Sequence, residues 1–296
     1  MKDISIRYLG GSGFLVWYDE TGFLFDASST GADDQMMPDE ETLRAFDRLY
    51  VFASHHHEHH FDPELYSIVP ENTRFFLGFD IPESYEGIHM QPGDEVSVDN
   101  MTVTAYDSTD EGVSFLISIS GITLFHAGNL NLWHWRDEST IVEIEAAERD
   151  FYRCLEPLIQ KKTVIDIAFF PVDPRQGRMH DAGANYFLMN LKPRILIPMH
   201  FQGRGDVVRR FAINNENTAT KVIALSETGE QVTVSIPETE ETAPDQKLLD
   251  FLRDHPSPED AVPDDAVPED TVPEEAENPE NSEKSEQPDR SESDAD

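Results

Sequence analysis

The run Ser54-His55-His56-His57-Glu58-His59-His60-Phe61-Asp62-Pro63 gathers five of the chain's eleven histidines into six residues. Neutral imidazole is a ligand for zinc and for other first-row dications, and His55, His57 and His60 can converge on a metal pair if the loop curls. The run directly follows Leu49-Tyr50-Val51-Phe52-Ala53, a short apolar stretch that reads as a buried strand. A strand end followed by a tight loop fixes several side chains toward one point. Two plainer readings compete, a purification tag and a solvated polar loop. The run is internal, is broken by Glu58 and sits behind a core strand, which argues against a tag.

The elements that must position this loop follow from the hydrophobic pattern. Residues 4–8 and 14–18 flank Gly10, Gly11 and Gly13 as a hairpin, and Gly22-Phe23-Leu24-Phe25-Asp26 continues it as a third strand. Asp26 at that strand end is either a turn residue or a carboxylate that orients a metal-bound histidine. Leu43, Phe46 and Leu49 at helical spacing predict a helix within 38–49, and Asp62-Pro63 predicts a helix start directly after the histidines, which would hold the loop rigidly. Strands are expected at 74–78, 101–106, 114–119 and 122–125. An amphipathic helix follows over 138–161, then a strand at 165–170, a helix at 182–191 and a strand at 194–198. A helix near 206–213 and strands at 221–225 and 231–236 complete a domain over 1–236.

Beyond Pro237 the composition changes. Residues 237–296 hold 22 acidic and 4 basic side chains, a net of −18 out of −37 for the chain. Pro258, Pro263, Pro268 and Pro273 recur every five residues. Such a stretch cannot bury enough apolar surface to offset its chain entropy, so a disordered acidic tail is expected, with a short helix at 246–253. The remaining −19 on the first 236 residues repels nucleic-acid backbones and anionic membranes, and neither is expected as a partner. Cys154 is the only cysteine, which excludes an intramolecular disulfide framework and a thiolate zinc site. The start of the chain has no apolar signal core and no run is long enough to span a bilayer, so a cytoplasmic protein is expected.

The histidine run resembles the metal-binding signature of the metallo-β-lactamase-fold superfamily, His-any-His-any-Asp-His after Ser or Thr. His55 and His57 match its first pair, His60 matches its last histidine, and His59 stands where the family has Asp. Tyr8-Leu9-Gly10-Gly11-Ser12-Gly13-Phe14 with Leu24-Phe25-Asp26 resembles the opening hairpin of the UlaG-like branch. Phe125-His126-Ala127-Gly128-Asn129 resembles its glycine turn, and Ile197-Pro198-Met199-His200-Phe201 its late strand end. These motifs occur in the family's order. The resemblance implies an α/β fold, a four-layer αββα sandwich. It also implies one or two divalent ions (zinc, or manganese or iron) at one edge, with His55 and His57 on the first and His60 and His200 on the second.

Three departures bear on mechanism. His59 replaces a carboxylate and brings no negative charge, although it can bind the same ions. Asn129 replaces the family's bridging Asp, and a neutral amide oxygen is a weak ligand between two dications. The histidine usually found upstream of the glycine turn is missing, and Asp107-Ser108-Thr109-Asp110-Glu111-Gly112 occupies that region. Asp110 is the candidate there, as an oxygen ligand or as a turn cap. The third ligand of the first metal is not readable from the sequence. His126 is assigned a supporting role, Trp133-His134-Trp135 a pocket wall, and His180 a ligand or acid/base role near the mouth. His59, His180 and Asp110 are therefore the catalytic candidates, and His55, His57, His59, His60, Asn129 and His200 the metal candidates. The loss of two carboxylates predicts a mononuclear or asymmetric metal site.

The function these residues imply is a metal-dependent hydrolase acting on a small phosphoester, lactone or amide through metal-activated water. An alternative from another class is a degenerate member that binds metal or ligand without turnover. A third, an interaction module working through the acidic tail, leaves the histidines unexplained. A small-molecule substrate is the expected partner, and assembly into a homo-oligomer is compatible with the sequence.

Overall fold

A computed structural model describes residues 1–30, 35–135 and 138–237, which fall in a compact unit spanning Met1–Glu241. The acidic tail and the helix expected at 246–253 lie outside the described residues. The strands are β1 (Lys2–Gly10), β2 (Gly13–Tyr18), β3 (Thr21–Phe25), β4 (Arg48–Ala53), β5 (Arg74–Gly78), β6 (Ile88–Met90) and β7 (Glu95–Val98). They continue as β8 (Met101–Asp107), β9 (Val113–Ile119), β10 (Ile122–His126), β11 (Ile167–Pro171), β12 (Ile195–Met199), β13 (Lys221–Val222) and β14 (Gln231–Ile236). The helices are α1 (Glu40–Arg44), α2 (Leu65–Ile68), α3 (Ile141–Lys161), α4 (Ala182–Leu191) and α5 (Gly205–Asn214). No helix among the described residues is long and apolar enough to cross a membrane.

Two mixed sheets of seven strands result, in the orders β14-β1-β2-β3-β4-β5-β6 and β13-β12-β11-β10-β9-β8-β7. Period-two alternation explains why they stack. In the first sheet Phe14, Val16, Phe23, Phe25, Tyr50 and Phe52 point inward, while Leu15, Leu24, Leu49 and Val51 join a separate apolar layer with Leu43 of α1 and Leu65 of α2. The inner faces meet through Phe14–Phe169 at 4.3 Å and Phe52–Phe115 at 5.4 Å between ring centroids. On the far side of the second sheet, Phe125 stacks on Phe187 of α4, Phe170 meets the same ring at a 34° tilt, and Phe151 of α3 packs edge-on against Phe170. The result is the expected αββα sandwich. Each fully buried Phe contributes about 1.5–3 kcal/mol, so this aromatic seam is the main anchor of the two sheets.

Local signals set the helix bounds. Thr140 and Glu143 form a reciprocal capping box that starts α3, and Lys162 in the left-handed region ends it. The helices expected around the histidine loop are shorter than their patterns suggest: α1 has five residues and α2 four. Asp62 accepts from the backbone N–H of Glu64 at 2.9 Å, but α2 starts one residue later, with Glu64 at its cap and no side-chain capping bond. A single turn cannot stiffen the loop, which is held instead by side chains bonded to its carbonyls. Ser28 and Thr30 donate to Glu58 O at 2.5 and 2.7 Å, and Gln35 donates to His59 O at 2.9 Å.

Candidate metal centre and its cavity

The parallel pairs β3–β4–β5–β6 and β10–β11–β12–β13 bring the carboxyl ends of their strands to one edge of the sandwich. Asp26 follows β3, the histidine run follows β4, Asn129 follows β10, Asp173 follows β11 and His200 follows β12. The β1–β2 and β8–β9 turns reach the same edge, because β1 pairs antiparallel with β2 and β8 with β9. Backbone bonds sew these loops together: Val113 N–H to Ser54 O at 3.0 Å and His200 N–H to Gly11 O at 2.9 Å. Gly112 (φ +66°) and Gly128 (φ +56°) pack so closely on Ser54 that a Cβ at either would run into it. Glycine at these positions is therefore a requirement of the site.

Hydrogen bonds fix which nitrogen of His55, His60 and His200 keeps its lone pair. Ser54 donates its N–H and its hydroxyl to Asp26, both at 2.8 Å. With that proton committed, Ser54 Oγ accepts from His55 Nδ1–H at 2.9 Å, leaving the Nε2 lone pair of His55 buried and without a hydrogen-bond partner. Asp26 also accepts from His60 Nδ1–H at 2.7 Å, and Asp173 accepts from His200 Nδ1–H at 2.8 Å. Three imidazoles thus keep Nε2 as the available lone pair, the arrangement that suits metal ligation. Burial and the neighbouring histidines push His55 down to about 2 and His59 down to about 4, so both are neutral at pH 7. Burial alone would raise Asp26, but His126 and His60 outweigh it and hold this carboxyl well below the usual range. Asp173 is likewise lowered to about 2, because the bonds from His200 and Arg175 overcome its burial.

His55, His57 and Glu111 form one group whose ligand atoms all lie within 4.8 Å of one another. His57 Nε2 approaches Glu111 Oε2 at 2.9 Å, yet this oxygen has no aligned hydrogen bond. Two donors on one ion with bonds of about 2.0–2.2 Å sit roughly 3 Å apart, so the spacing fits shared ligation. Glu111 is thus the carboxylate of the 107–112 turn that reaches His57. Asp110 turns its carboxylate to Asn129, accepting from Nδ2 at 2.6 Å, and lines the cavity. Asn129 Oδ1 is buried without a hydrogen-bond partner. A buried imidazole nitrogen, a carboxylate oxygen and an amide oxygen, all lacking hydrogen bonds at one edge, are donors that a divalent ion would satisfy.

His59, His60 and His200 line the same cavity, of about 470 Å³, with ring centroids 4.7 Å apart for His59–His60 and 6.2 Å for His60–His200. They form a looser set than His55, His57 and Glu111. His126 has both nitrogens engaged, donating from Nε2 to Ser12 O at 2.9 Å and accepting from Gly128 N–H at 3.2 Å, so it retains no lone pair for a metal. Trp133 and Trp135 line the cavity while His134 is buried between them in sequence. The structure does not bring His180, expected near the mouth, to the cavity lining. His180 Nδ1 is bonded to Gly177 O at 2.9 Å, at the cap that ends the 3-10 helix Pro174–Met179. The sequence reading also passed over Asp173 and Arg175. The available signal was Asp173's place at the end of an apolar strand, as for Asp26 and His200.

No family model matches the sequence, and no curated protein matches it. Among solved structures, the chain is similar to Igni18, a metallo hydrolase from Ignicoccus hospitalis, with a TM-score of 0.60 at 21% identity over 79% of this chain and 100% of that one. It is similar to YhfI from Bacillus subtilis, a metallo-β-lactamase fold protein, with a TM-score of 0.51 at 13% identity over 79% and 100% of the two chains. An isothiocyanate hydrolase from Delia radicum gut bacteria gives a TM-score of 0.51 at 13% identity, again over 79% and 100%. At such identities a structural likeness speaks for architecture, and the chain carries the metallo-β-lactamase fold.

Proposed function

We propose that the chain is a metal-dependent hydrolase of small molecules, of the UlaG-like kind that its opening hairpin and strand-end motifs resemble. The observation that carries this reading is the set of donors lacking hydrogen bonds beside an open cavity. His55 Nε2, Glu111 Oε2 and Asn129 Oδ1 all lack a hydrogen-bond partner, while Ser54, Asp26 and Asp173 hold Nδ1 of His55, His60 and His200. His55, His57 and Glu111 would hold one divalent ion tightly. His59, His60, His200 and Asn129 would hold a second more weakly, because they bring no carboxylate. Such an ion supplies Lewis acidity that brings the pKa of a water toward neutrality. The chain's own groups do the rest. Asp110, with one oxygen engaged by Asn129, accepts a proton at the other. His59 is neutral at working pH and serves as a ligand or proton acceptor rather than as an acid. Trp133 and Trp135 shield one side of the cavity from water. Its volume suits a small molecule, and the bond cleaved is a phosphoester, lactone or amide.

The test is turnover by protein reconstituted with zinc, manganese or iron, against a phosphodiester, a lactone and an amide, with His57→Ala beside the wild type. Hydrolysis of one class, lost in the variant, supports the reading. Absence of turnover with every metal counts against it.

Asn129 favours a second reading, in which the chain binds metal without turnover, since its amide is bonded to Asp110 where the family carries a charge. Asn129→Asp discriminates. It sets a second carboxylate against Asp110, so metal-free protein is destabilised and second-ion occupancy rises. A gain of activity with that occupancy identifies a degenerate site. Retained or reduced activity identifies a working asymmetric one.

A further inference from the structure

We infer that the cavity takes a substrate with a planar ring and an anionic group, the ring lying against Trp133 and Trp135 and the anion facing Arg175. This rests on the hydrolase reading for which bond is cut, but not for how the substrate is held. The two indoles are nearly parallel, with centroids 6.3 Å apart and planes 17° from one another. Trp133 is locked in place, donating from Nε1 to Asn129 O at 2.8 Å, and its ring lies 5.6 Å from that of His200. The indole wall therefore runs directly up to the histidine end of the cavity. Trp135 is 40% exposed, a large π surface left open at the mouth. Wide indole faces at a cavity wall favour ring-shaped ligands over aliphatic ones of the same charge, because stacking adds to area burial.

Arg175 is the one arginine or lysine among the described residues that line the cavity. Its Nε bonds both oxygens of Asp173, at 3.1 and 2.9 Å, and its Nη2 bonds one at 2.6 Å. This fork fixes the guanidinium plane, so the positive charge is held in place before any ligand arrives. On a chain with a net charge of −37, an anion needs such a local cation to enter. A single ligand that uses both features carries its ring and its negative charge on one small frame.

The test uses the full-length, metal-loaded chain and three probes: phenylphosphonate, methylphosphonate and benzyl alcohol. Affinities come from calorimetry and indole fluorescence. Phenylphosphonate is expected to bind at least tenfold more tightly than methylphosphonate, with the preference kept in Trp135→Phe and reduced to under threefold in Trp135→Ala. Arg175→Gln is expected to weaken both phosphonates by about tenfold and leave benzyl alcohol and metal content unchanged. Equal binding of the two phosphonates, or a preference that survives Trp135→Ala, overturns the ring assignment. Loss of metal in Arg175→Gln, or an equal loss for benzyl alcohol, places Arg175 in the support of Asp173 and His200 and overturns the anion assignment. The same titrations on metal-stripped protein separate the two readings. A ring preference that persists in protein that never takes up metal supports this inference while the hydrolase reading fails.

Discussion

Asp26→Asn separates the support of the site from the ligands themselves. The native carboxylate accepts three hydrogen bonds, from Ser54 N–H, Ser54 Oγ–H and His60 Nδ1–H, at 2.8, 2.8 and 2.7 Å. An asparagine has one acceptor oxygen and one amide nitrogen, and neither orientation satisfies all three donors. If the amide nitrogen faces His60, it donates to Nδ1 and forces the imidazole proton onto Nε2, removing the lone pair a metal needs. If it faces the backbone, Ser54 N–H is buried without an acceptor, at a cost of about 1–3 kcal/mol. Ser54 Oγ–H can rotate away, so the destabilisation of metal-free protein is about one such bond. Loss of a partner of this kind lowers metal affinity roughly 10–100-fold. Zinc titration by calorimetry on stripped protein, with urea unfolding of the same samples, measures both effects. Metal affinity within twofold of wild type together with unchanged stability would refute the claim that Asp26 sets the His60 tautomer.

Three further outcomes follow from the same geometry. Glu111→Gln lowers metal affinity at least tenfold, whereas Asp110→Asn changes it less than threefold and lowers turnover, which metal titration and kinetics on the two variants resolve. Gly112→Ala costs about 3 kcal/mol or more in urea unfolding, since it adds a Cβ against Ser54 O at a φ of +66°. Gly93→Ala, at a φ of +96° with nothing within 4 Å, carries only the backbone strain and serves as its control. Metal-free protein loses stability as pH falls below about 6.5, the ordinary histidine value. His55, lowered to about 2, and His59, lowered to about 4, stay neutral in the native state while the unfolded chain takes up protons. His55 alone gives a slope of up to about 1.4 kcal/mol per pH unit in that window. Below about pH 4 the depressed carboxyls of Asp26 and Asp173 add to the loss, because their native forms resist protonation. A melting temperature that stays flat between pH 7.5 and 5 would count against buried neutral histidines.

Much of the sandwich is legible in the sequence because its strands are short apolar runs bounded by turn residues. Phe23, Leu24 and Phe25 show by type alone that both faces of β3 are covered, and the histidine run marks the edge where chemistry gathers. The flanking helices are overread, because Leu43, Phe46 and Leu49 have helical spacing but Leu49 belongs to β4. Glu111 escaped the reading for a geometric reason. Asp110 and Glu111 are adjacent in a turn closed by Gly112, and only the path of that turn decides which carboxylate reaches His57 and which reaches Asn129. Composition cannot make that choice. Asp173 escaped because its partners, His200 and Arg175, come from a different loop and from the turn that follows it. His180 bonds to Gly177 O at the end of its turn and is not among the residues lining the cavity, a placement that sequence position alone does not give.

The most direct measurement is elemental analysis of protein purified without added metal and then reconstituted, on wild type, His57→Ala and Glu111→Ala, with turnover followed on the same samples. Close to one tightly bound divalent ion per chain is expected in the wild type, with a weaker second, and loss of the first together with activity in both variants. Two ions held with equal strength would contradict the asymmetric site, and no bound metal after reconstitution would contradict the metal centre itself.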